Sequence, residues 1–317
     1  MIFMEEEHTN KHTNAFDDEI DFRELFYVLF DGKWIIVSVT ACVSIIGVIF
    51  SLHLPNIYES EALLVPVESS GGIGALGGYD SLAGIAGISL PSNKNGSNSL
   101  KAIQKINSLS FFENNILPNI NLPDLMAVKS WDSKTNILAF DENIYDVNSN
   151  TWIRGYSHPK QQIPSAQESF RVFKSKHLNL TVAKKSGFLT LSIKHQSPFL
   201  AKQWVELVVN EVNSFYRQKD KSKSEKAVRY LNQQFSMTAL SEIKIILARL
   251  LQDETKKLTL IESNEFYVFD YIDPPAVLEV KSEPKRSIIV FISAILGGVL
   301  SILLVLIRHY ALSKKTS

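Results

Sequence analysis

Few side chains in this sequence have the type and spacing of a catalytic or metal-binding site. Three histidines of the central region, His158, His177 and His195, stand apart, and none lies in an HExxH or similar clustered ligand motif. The cysteine Cys42 lies in an apolar stretch, and the acidic pair Asp17–Asp18 lies near a polar N-terminal tail. We interpret these residues as surface or core residues, and we expect no catalytic residue, no metal site and no cofactor.

A glycine-rich stretch, residues 69–92, could suggest a phosphate-binding loop. No Lys-Ser or Lys-Thr follows its glycines at P-loop spacing, so that interpretation fails. Two alternatives stay open: a flexible loop, or a loop that contacts another subunit. The flexible loop is the preferred interpretation, and the contact loop is supported by the apolar side chains that the stretch carries, which are Leu76, Leu82, Ile85, Ile88 and Leu90.

Two uncharged stretches are long enough to cross a bilayer as helices: residues 34–53 and 287–307. An acidic segment, residues 1–33, precedes the first, and the apolar run is longer than the hydrophobic region of a usual signal peptide, which makes a signal peptide an unfavourable interpretation. Two spans place both termini on one side of the membrane. The excess of Lys and Arg near the terminal side predicts cytoplasmic termini, with a short cytoplasmic tail at residues 308–317 and a periplasmic middle domain outside a bacterial inner membrane.

The composition fits a folded domain held between two membrane anchors. The formal net charge is zero, so no basic surface for nucleic acid is indicated. About 230 residues between the spans suffice for a hydrophobic core. The chain has one cysteine, which lies in the first span, so an intrachain disulfide in the middle domain is excluded.

The periodicity of the sequence predicts an α+β base over residues 54–197, close to the membrane. We expect a strand at residues 58–67, a helix at 97–117, irregular structure at 119–165, a helix from about 165, and a hairpin at 178–196 that turns at 185–187. Before the first span, residues 1–18 are expected to be disordered, and residues 17–34 to contain a short amphipathic helix at the cytoplasmic interface.

Beyond Pro198 the pattern becomes helical for residues 198–263. The apolar spacing slips near Ser236–Ala239, where neither Pro nor Gly marks a break. A break is favoured because the chain must return to the membrane; the first helix would be roughly 55 Å long. We therefore predict a long helical projection, followed over residues 264–286 by a returning strand (266–273) and a proline-rich stalk.

Two groups of residues are candidate functional sites next to the second span. The stalk motif comprises Pro274, Pro275, Pro284, Lys285 and Arg286, whose prolines favour extended, stiff backbone, although an ordinary juxtamembrane linker is an equal alternative. Within the span, Ser293, Gly297 and Ser301 are spaced four apart and would form a face that another helix can approach closely, with Gly298 widening the groove.

The order of these features resembles the Wzz-type chain-length determinants. The resemblance covers nearly the whole chain and rests on IDFRELFYVL, GKW, the first span, YESEALLVP, SLAGIAG, SPFLAKQWVELVVNEVN, IDPP, KSEPKR and the second span. One departure is Leu278, where the family commonly has a further proline. The family's larger members carry a tyrosine kinase after the second span, which this sequence lacks.

The resemblance implies a non-catalytic inner-membrane scaffold, a polysaccharide co-polymerase, that sets the length of an O-antigen-like lipopolysaccharide. Its expected partners are copies of itself, a Wzy-type polymerase and a lipid-linked glycan in the membrane. One alternative is an export adaptor that couples an inner-membrane transporter to an outer-membrane conduit. A two-span sensor is less favoured, because the tails are too short for a signalling domain.

Overall fold

The structure is a computed structural model that describes residues 22–67, 97–183 and 186–313. The chain divides into two compact units. The terminal unit comprises Met1–Leu54 and Lys285–Ser317, and the central unit comprises Pro55–Pro284. The predicted disordered tail 1–18 and the glycine-rich stretch 69–92 lie outside the described residues.

The terminal unit contains helices, and the central unit contains both helices and strands. The helices are α1 (Phe22–Asp31), α2 (Lys33–His53), α3 (Ser97–Ile106), α4 (Leu109–Phe111), α5 (Leu122–Met126), α6 (Ala166–Val172), α7 (Pro198–Met237), α8 (Ser241–Ser263) and α9 (Arg286–Ser313). The strands are β1 (Tyr58–Pro66), β2 (Val128–Asp132), β3 (Ile137–Phe140), β4 (Tyr145–Asp146), β5 (Thr151–Trp152), β6 (Leu178–Val182), β7 (Leu189–His195) and β8 (Phe269–Asp273). This mixture confirms the predicted α+β class with an apolar helix on either side of the domain.

A four-stranded antiparallel sheet organises the central unit, in the order β6-β7-β1-β8. The predicted strand at 58–67 forms β1, and the predicted hairpin forms β6 and β7. Gly187 adopts a φ of 72° in the hairpin turn, a conformation that glycine reaches without a steric penalty. The turn is closed by the Ala183 N–H, which donates to the Phe188 carbonyl at 2.9 Å.

One face of the sheet packs against the first half of α7. Val205, Val208 and Val212 recur at helical spacing and are 0–1% exposed. They share a core with the sheet residues Leu64, Leu189, Leu191, Ile193 and Phe269. The alternating apolar residues of the strands and the apolar residues on one face of the helix therefore form a single core.

Two sequence expectations for the base are wrong in detail. The predicted helix at 97–117 is interrupted after Ile106, because the Ser108 side chain accepts from the Phe111 N–H at 3.3 Å and starts a new helix. The predicted irregular region 119–165 instead contains α5 and two small hairpins, β2–β3 and β4–β5.

The long helix ends as the slip in apolar spacing indicated. α7 has 40 residues and is about 60 Å long. Thr238 closes it with a hydrogen bond from Oγ1 to the Gln234 carbonyl at 2.8 Å, and α8 begins at Ser241. Tyr267 follows α8 in the sequence, and its hydroxyl donates to Asp220 of α7 at 2.6 Å. The chain has therefore returned along α7.

The terminal unit is built from α1, α2 and α9. The stretches Lys33–His53 and Arg286–His309 have mean hydropathies of 2.6 and 2.9, and only 11% and 17% of their apolar windows are buried. A core helix of a soluble domain would be mostly buried, so these helices fit membrane spans better. α1 confirms the short helix that was predicted before the first span, and Phe26, Tyr27 and Phe30 are exposed on it.

Candidate functional site

The proline-rich segment is fastened to the sheet rather than standing free. The Ser60 hydroxyl donates to the Ala276 carbonyl at 2.8 Å, next to the buried Pro275. Further along, the Ile57 N–H donates to the Glu283 carbonyl at 3.0 Å, and the Ser282 N–H donates to the Ile57 carbonyl at 2.9 Å. We call the Ile57–Ser282–Glu283 contacts the clasp, because they join the segments by which the chain enters and leaves the central unit.

An ion-pair group strengthens the clasp from β7. Lys194 Nζ lies 2.5 Å from Glu283 and 3.8 Å from Glu59. The hydrogen bond to Glu283 raises the pKa of Lys194, with further support from the charge of Glu59. The Ser192 hydroxyl donates to Glu59 at 2.7 Å and orients that carboxylate.

The remaining residues of the predicted stalk motif take different positions. Pro274 is exposed directly after β8, and Pro284 follows the clasp at half burial. Lys285 is exposed, and its carbonyl accepts from Ile288 and Ile289, so it starts the helix in which Arg286 is the first residue. Proline alone therefore does not account for the path of this segment, since hydrogen bonds to Ser60 in β1 and to Ile57 just before β1 fix it at two points.

Two of the predicted isolated histidines lie together in the base. The rings of His177 and His195 stack with centroids 5.6 Å apart, and both pack edge-on against Trp204. Burial lowers the pKa of His195 to about 4 and also lowers the pKa of His177. Both rings are therefore neutral at neutral pH.

Hydrogen bonds occupy the histidine nitrogens and fix the ring positions. His195 Nδ1 accepts from the Ser197 N–H at 2.9 Å, so Nε2 carries the proton and donates to the Asp124 carbonyl at 3.0 Å. His177 Nδ1 lies 2.7 Å from the Lys194 carbonyl. These hydrogen bonds let the histidine pair orient the end of β7. The described ranges contain no group of three His, Cys, Asp or Glu residues placed to hold a metal ion.

A pocket of 570 Å³ opens beside the histidine pair and the clasp. Its apolar wall is formed mainly by α5, β5 and α6 side chains, and its polar wall by residues around the ends of α6 and β7. The lining residues that matter for its chemistry are Asp124, Trp152, Lys176, Lys194, Gln196 and Glu283. Sequence reasoning missed this pocket, because Asp124 and Trp152 lie in the region that was expected to be irregular.

Within the terminal unit, α2 and α9 pack through small residues. A Cβ atom added at Gly297 would lie 3.0 Å from Val43 Cβ and 3.1 Å from Thr40 Cα. A Cβ atom added at Gly47 would overlap the Ser293 hydroxyl. The two backbones therefore approach closely, as small residues allow in membrane helices.

The predicted face on α9 meets α2 of the same chain. Ser301 is fully buried, and its hydroxyl lies 3.5 Å from the Thr40 hydroxyl. Gly298 does not widen the groove as predicted, since a Cβ atom there would meet nothing within 4 Å. Successive residues on a helix point about 100° apart, which turns Gly298 away from the packed side.

The helix pair α7–α8 carries a set of exposed aliphatic residues. Ile243, Ile246 and Leu250 follow the spacing i, i+3 and i+7 on α8 and are 42%, 60% and 46% exposed. Ile261 is the one fully buried residue that α8 contributes. Packing against α7 therefore leaves part of the apolar face of α8 exposed within the described chain.

A buried asparagine connects α7 to the returning chain. Asn213 Oδ1 accepts from the backbone N–H groups of Tyr267, Val268 and Phe269, at 3.3, 2.7 and 3.0 Å. Its Nδ2 donates to the Phe269 carbonyl at 2.9 Å. Asn213 is 5% exposed. Sequence reasoning missed it, although a polar residue on the helix face that carries Val205 and Val212 is a detectable signal.

These features define a class: an α+β domain between two helices that are apolar and long enough to span a membrane. Comparison with known families then matches residues 18–116 to the family described as Wzz, chain length determinant protein. The resemblance predicted from the sequence is thereby confirmed over this part of the chain. A search among curated proteins found no match.

Solved structures with a similar chain path are described as polysaccharide co-polymerases or chain-length regulators. A full-length bacterial polysaccharide co-polymerase is 14% identical, with 92% of this chain and 99% of that chain covered and a TM-score of 0.40. A fragment of WzzB from Salmonella Typhimurium is 10% identical, with coverages of 72% and 100% and a TM-score of 0.32. A mutant of the Shigella flexneri O-antigen chain-length regulator is 11% identical, with coverages of 71% and 100% and a TM-score of 0.23.

Proposed function

We propose that this protein is a non-catalytic inner-membrane scaffold that regulates the chain length of a surface polysaccharide. The polymer would be an O-antigen-like lipopolysaccharide made by a Wzy-type polymerase from a lipid-linked glycan. The observation that carries the proposal is the match of residues 18–116 to the chain length determinant family. The two apolar helices on either side of the domain agree with a membrane-anchored regulator.

In this proposal both termini are cytoplasmic and the central unit is periplasmic, with α7 and α8 projecting from the base. The clasp supports such a role, because it holds together the two chain segments that lead to the spans. The stalk motif residues Pro274, Pro275, Pro284, Lys285 and Arg286 would lead the chain from the sheet to the second span.

Deletion of the gene is expected to change the modal length of the surface polysaccharide without abolishing its synthesis. A regulator alters when polymerisation stops, whereas the polymerase makes the bonds. Gel separation of lipopolysaccharide from wild-type, deletion and complemented strains measures the change. A deletion strain that makes no polymer would contradict the proposal and favour an essential enzyme or exporter.

We further propose that the protein is a homo-oligomer, with the Ile243–Ile246–Leu250 stripe of α8 covered by a second copy. α8 carries four acidic and four basic residues, so two copies of it have no net charge to repel each other. The glycine-rich residues 69–92 would contribute to the same contact, as predicted from their apolar side chains. Burial of these aliphatic groups would supply the association free energy.

Replacing Ile246 with Glu is expected to reduce the oligomer to smaller species, because a carboxylate would be buried without a partner. Multi-angle light scattering of the detergent-solubilised full chain measures the mass. Gln252→Glu introduces the same charge on the other side of α8 and should leave the mass unchanged. The proposal fails if the wild-type protein is monomeric at every concentration, or if Ile246→Glu keeps the wild-type mass.

A further inference from the structure

The pocket in the base has the size and the mixed lining of a ligand site. Its volume of 570 Å³ lies within the range of small-molecule pockets, which is about 300–1,000 Å³. The lining combines an aromatic side chain, Trp152, with aliphatic groups such as Met126 and Ile144, and with charged groups of both signs. Nothing in the fold of the sheet requires this cavity, which lies between the sheet end and the α5–α6 region.

Some of the charged groups are already committed to the protein. Arg154 makes a two-point contact with Glu168, at 2.6 and 2.8 Å, and also donates to the carbonyls of Gln161 and Gln162. Lys194 is held by Glu283 in the clasp. These residues shape the walls, and they are poorly placed to exchange their partners for a ligand.

Other polar groups in the pocket are available to a ligand. Lys176 is exposed, and within the described part of the chain no carboxylate lies at ion-pair distance from it. Gln196 is half-buried at the end of β7. Asp124 accepts one hydrogen bond, from Asn121 Nδ2 at 3.0 Å, and burial raises the pKa of its carboxyl. The pocket thus offers donors and an acceptor around one aromatic side chain.

This combination suits a polyhydroxylated ligand. A sugar ring presents C–H groups that pack on an aromatic face, while each hydroxyl can both donate and accept. A strongly anionic ligand would meet the carboxylates of Asp124 and Glu283, and a purely apolar ligand would make no hydrogen bond to Lys176, Gln196 or Asp124. The lining therefore favours a neutral or weakly charged saccharide.

We propose that the pocket binds a saccharide segment of the polymer, with Trp152 as the packing surface and Lys176, Gln196 and Asp124 as hydrogen-bonding groups. The proposal rests on the proposed function, since that function supplies the glycan. Ile57 and Glu283 line the same pocket, so a bound segment lies next to the clasp. Glycan bound in this pocket would therefore contact the clasp residues, where the chain leaves the central unit.

Binding is tested with the full chain in lipid nanodiscs. The probe is the strain's own surface polysaccharide, hydrolysed to short fragments and separated by size, with dextran fragments as a negative control. Saturation-transfer NMR is expected to show binding of the fragments to the wild-type protein. Lys176→Ala and Asp124→Asn should each weaken binding about tenfold, because each removes a hydrogen bond to a charged group.

Lys174→Ala is the matched control for Lys176→Ala, and Trp131→Ala is a second control outside the pocket. Lys174 lies two residues before Lys176 and is exposed, and Trp131 packs against Tyr58 at 5.4 Å; neither lines the pocket. The inference is overturned if the wild-type chain binds no fragment, or if the pocket variants bind as tightly as the controls. In that case an altered polysaccharide length in the deletion strain would still support the proposed function, so the two failures are distinguishable.

Discussion

Replacement of Asn213 with leucine is expected to unfold or strongly destabilise the central unit. The leucine side chain has a similar size, but it removes one acceptor shared by three backbone N–H groups and one donor to the Phe269 carbonyl. Each buried group left without a partner costs about 1–3 kcal/mol, and some will be rehydrated. We expect a loss of about 3–6 kcal/mol in the free energy of unfolding, which approaches the whole stability of many domains.

Thermal unfolding of the detergent-solubilised protein, followed by circular dichroism, measures this effect. Asn210→Leu is the matched control, because Asn210 lies one turn earlier on α7 and is exposed. That variant should stay within about 0.5 kcal/mol of the wild-type protein. In cells, Asn213→Leu should give the polysaccharide pattern of the deletion strain. Equal unfolding temperatures for the two variants would contradict the role assigned to Asn213.

The main elements of the fold could be predicted because their patterns are local. Leu189, Leu191 and Ile193 alternate along β7, and Val205, Val208 and Val212 repeat at helical spacing. In both cases the apolar residues that set the period are also the ones that form the core. The same reasoning located the end of α7, where the apolar spacing slips before Ser241.

The region 119–165 could not be predicted by periodicity, since its hairpins are held by side-chain hydrogen bonds rather than by a core. In the β2–β3 turn, Asp132 accepts from the Lys134 N–H and the Thr135 hydroxyl, while Trp131 Nε1 donates to Asn136. The β4–β5 turn repeats this arrangement 14 residues later, with the residues Tyr145, Asp146, Asn148, Ser149 and Asn150. An aromatic-Asp-x-x-Ser/Thr-Asn repeat was therefore present in the sequence and is a usable turn signal.

The candidate sites were partly accessible to sequence reasoning. The four-residue spacing of Ser293, Gly297 and Ser301 predicts a close-packing face, but spacing alone does not say which helix covers it. The structure places α2 there, because Gly47 and Thr40 provide the complementary small side chains. The pocket and the clasp depend on contacts between residues more than 70 positions apart, such as Asp124 with His195, and no local pattern reports these.

Replacement of Gly297 with leucine is expected to separate α2 from α9 and to shift or broaden the polysaccharide length distribution. A Cβ atom at this position already meets Val43 Cβ at 3.0 Å and the Thr40 backbone at 3.1 Å, so a whole leucine side chain cannot be accommodated without moving a helix. Membrane insertion itself should remain normal, because leucine is more apolar than glycine. We expect wild-type abundance in the membrane fraction and an altered ladder on a polysaccharide gel.

Gly298→Leu is the sharpest control for this experiment, since it adds the same side chain one residue later, where a Cβ atom meets nothing within 4 Å. Ile295→Leu, at a site that is 52% exposed, is a second control. Helix separation can be followed directly by disulfide cross-linking between Thr40→Cys and Ser301→Cys in a Cys42→Ser background, because the two native hydroxyls lie 3.5 Å apart. Gly297→Leu should lower the cross-linking yield and Gly298→Leu should not. If cross-linking falls while the polysaccharide lengths stay those of the wild type, close packing of the spans stabilises the helix pair without contributing to length control.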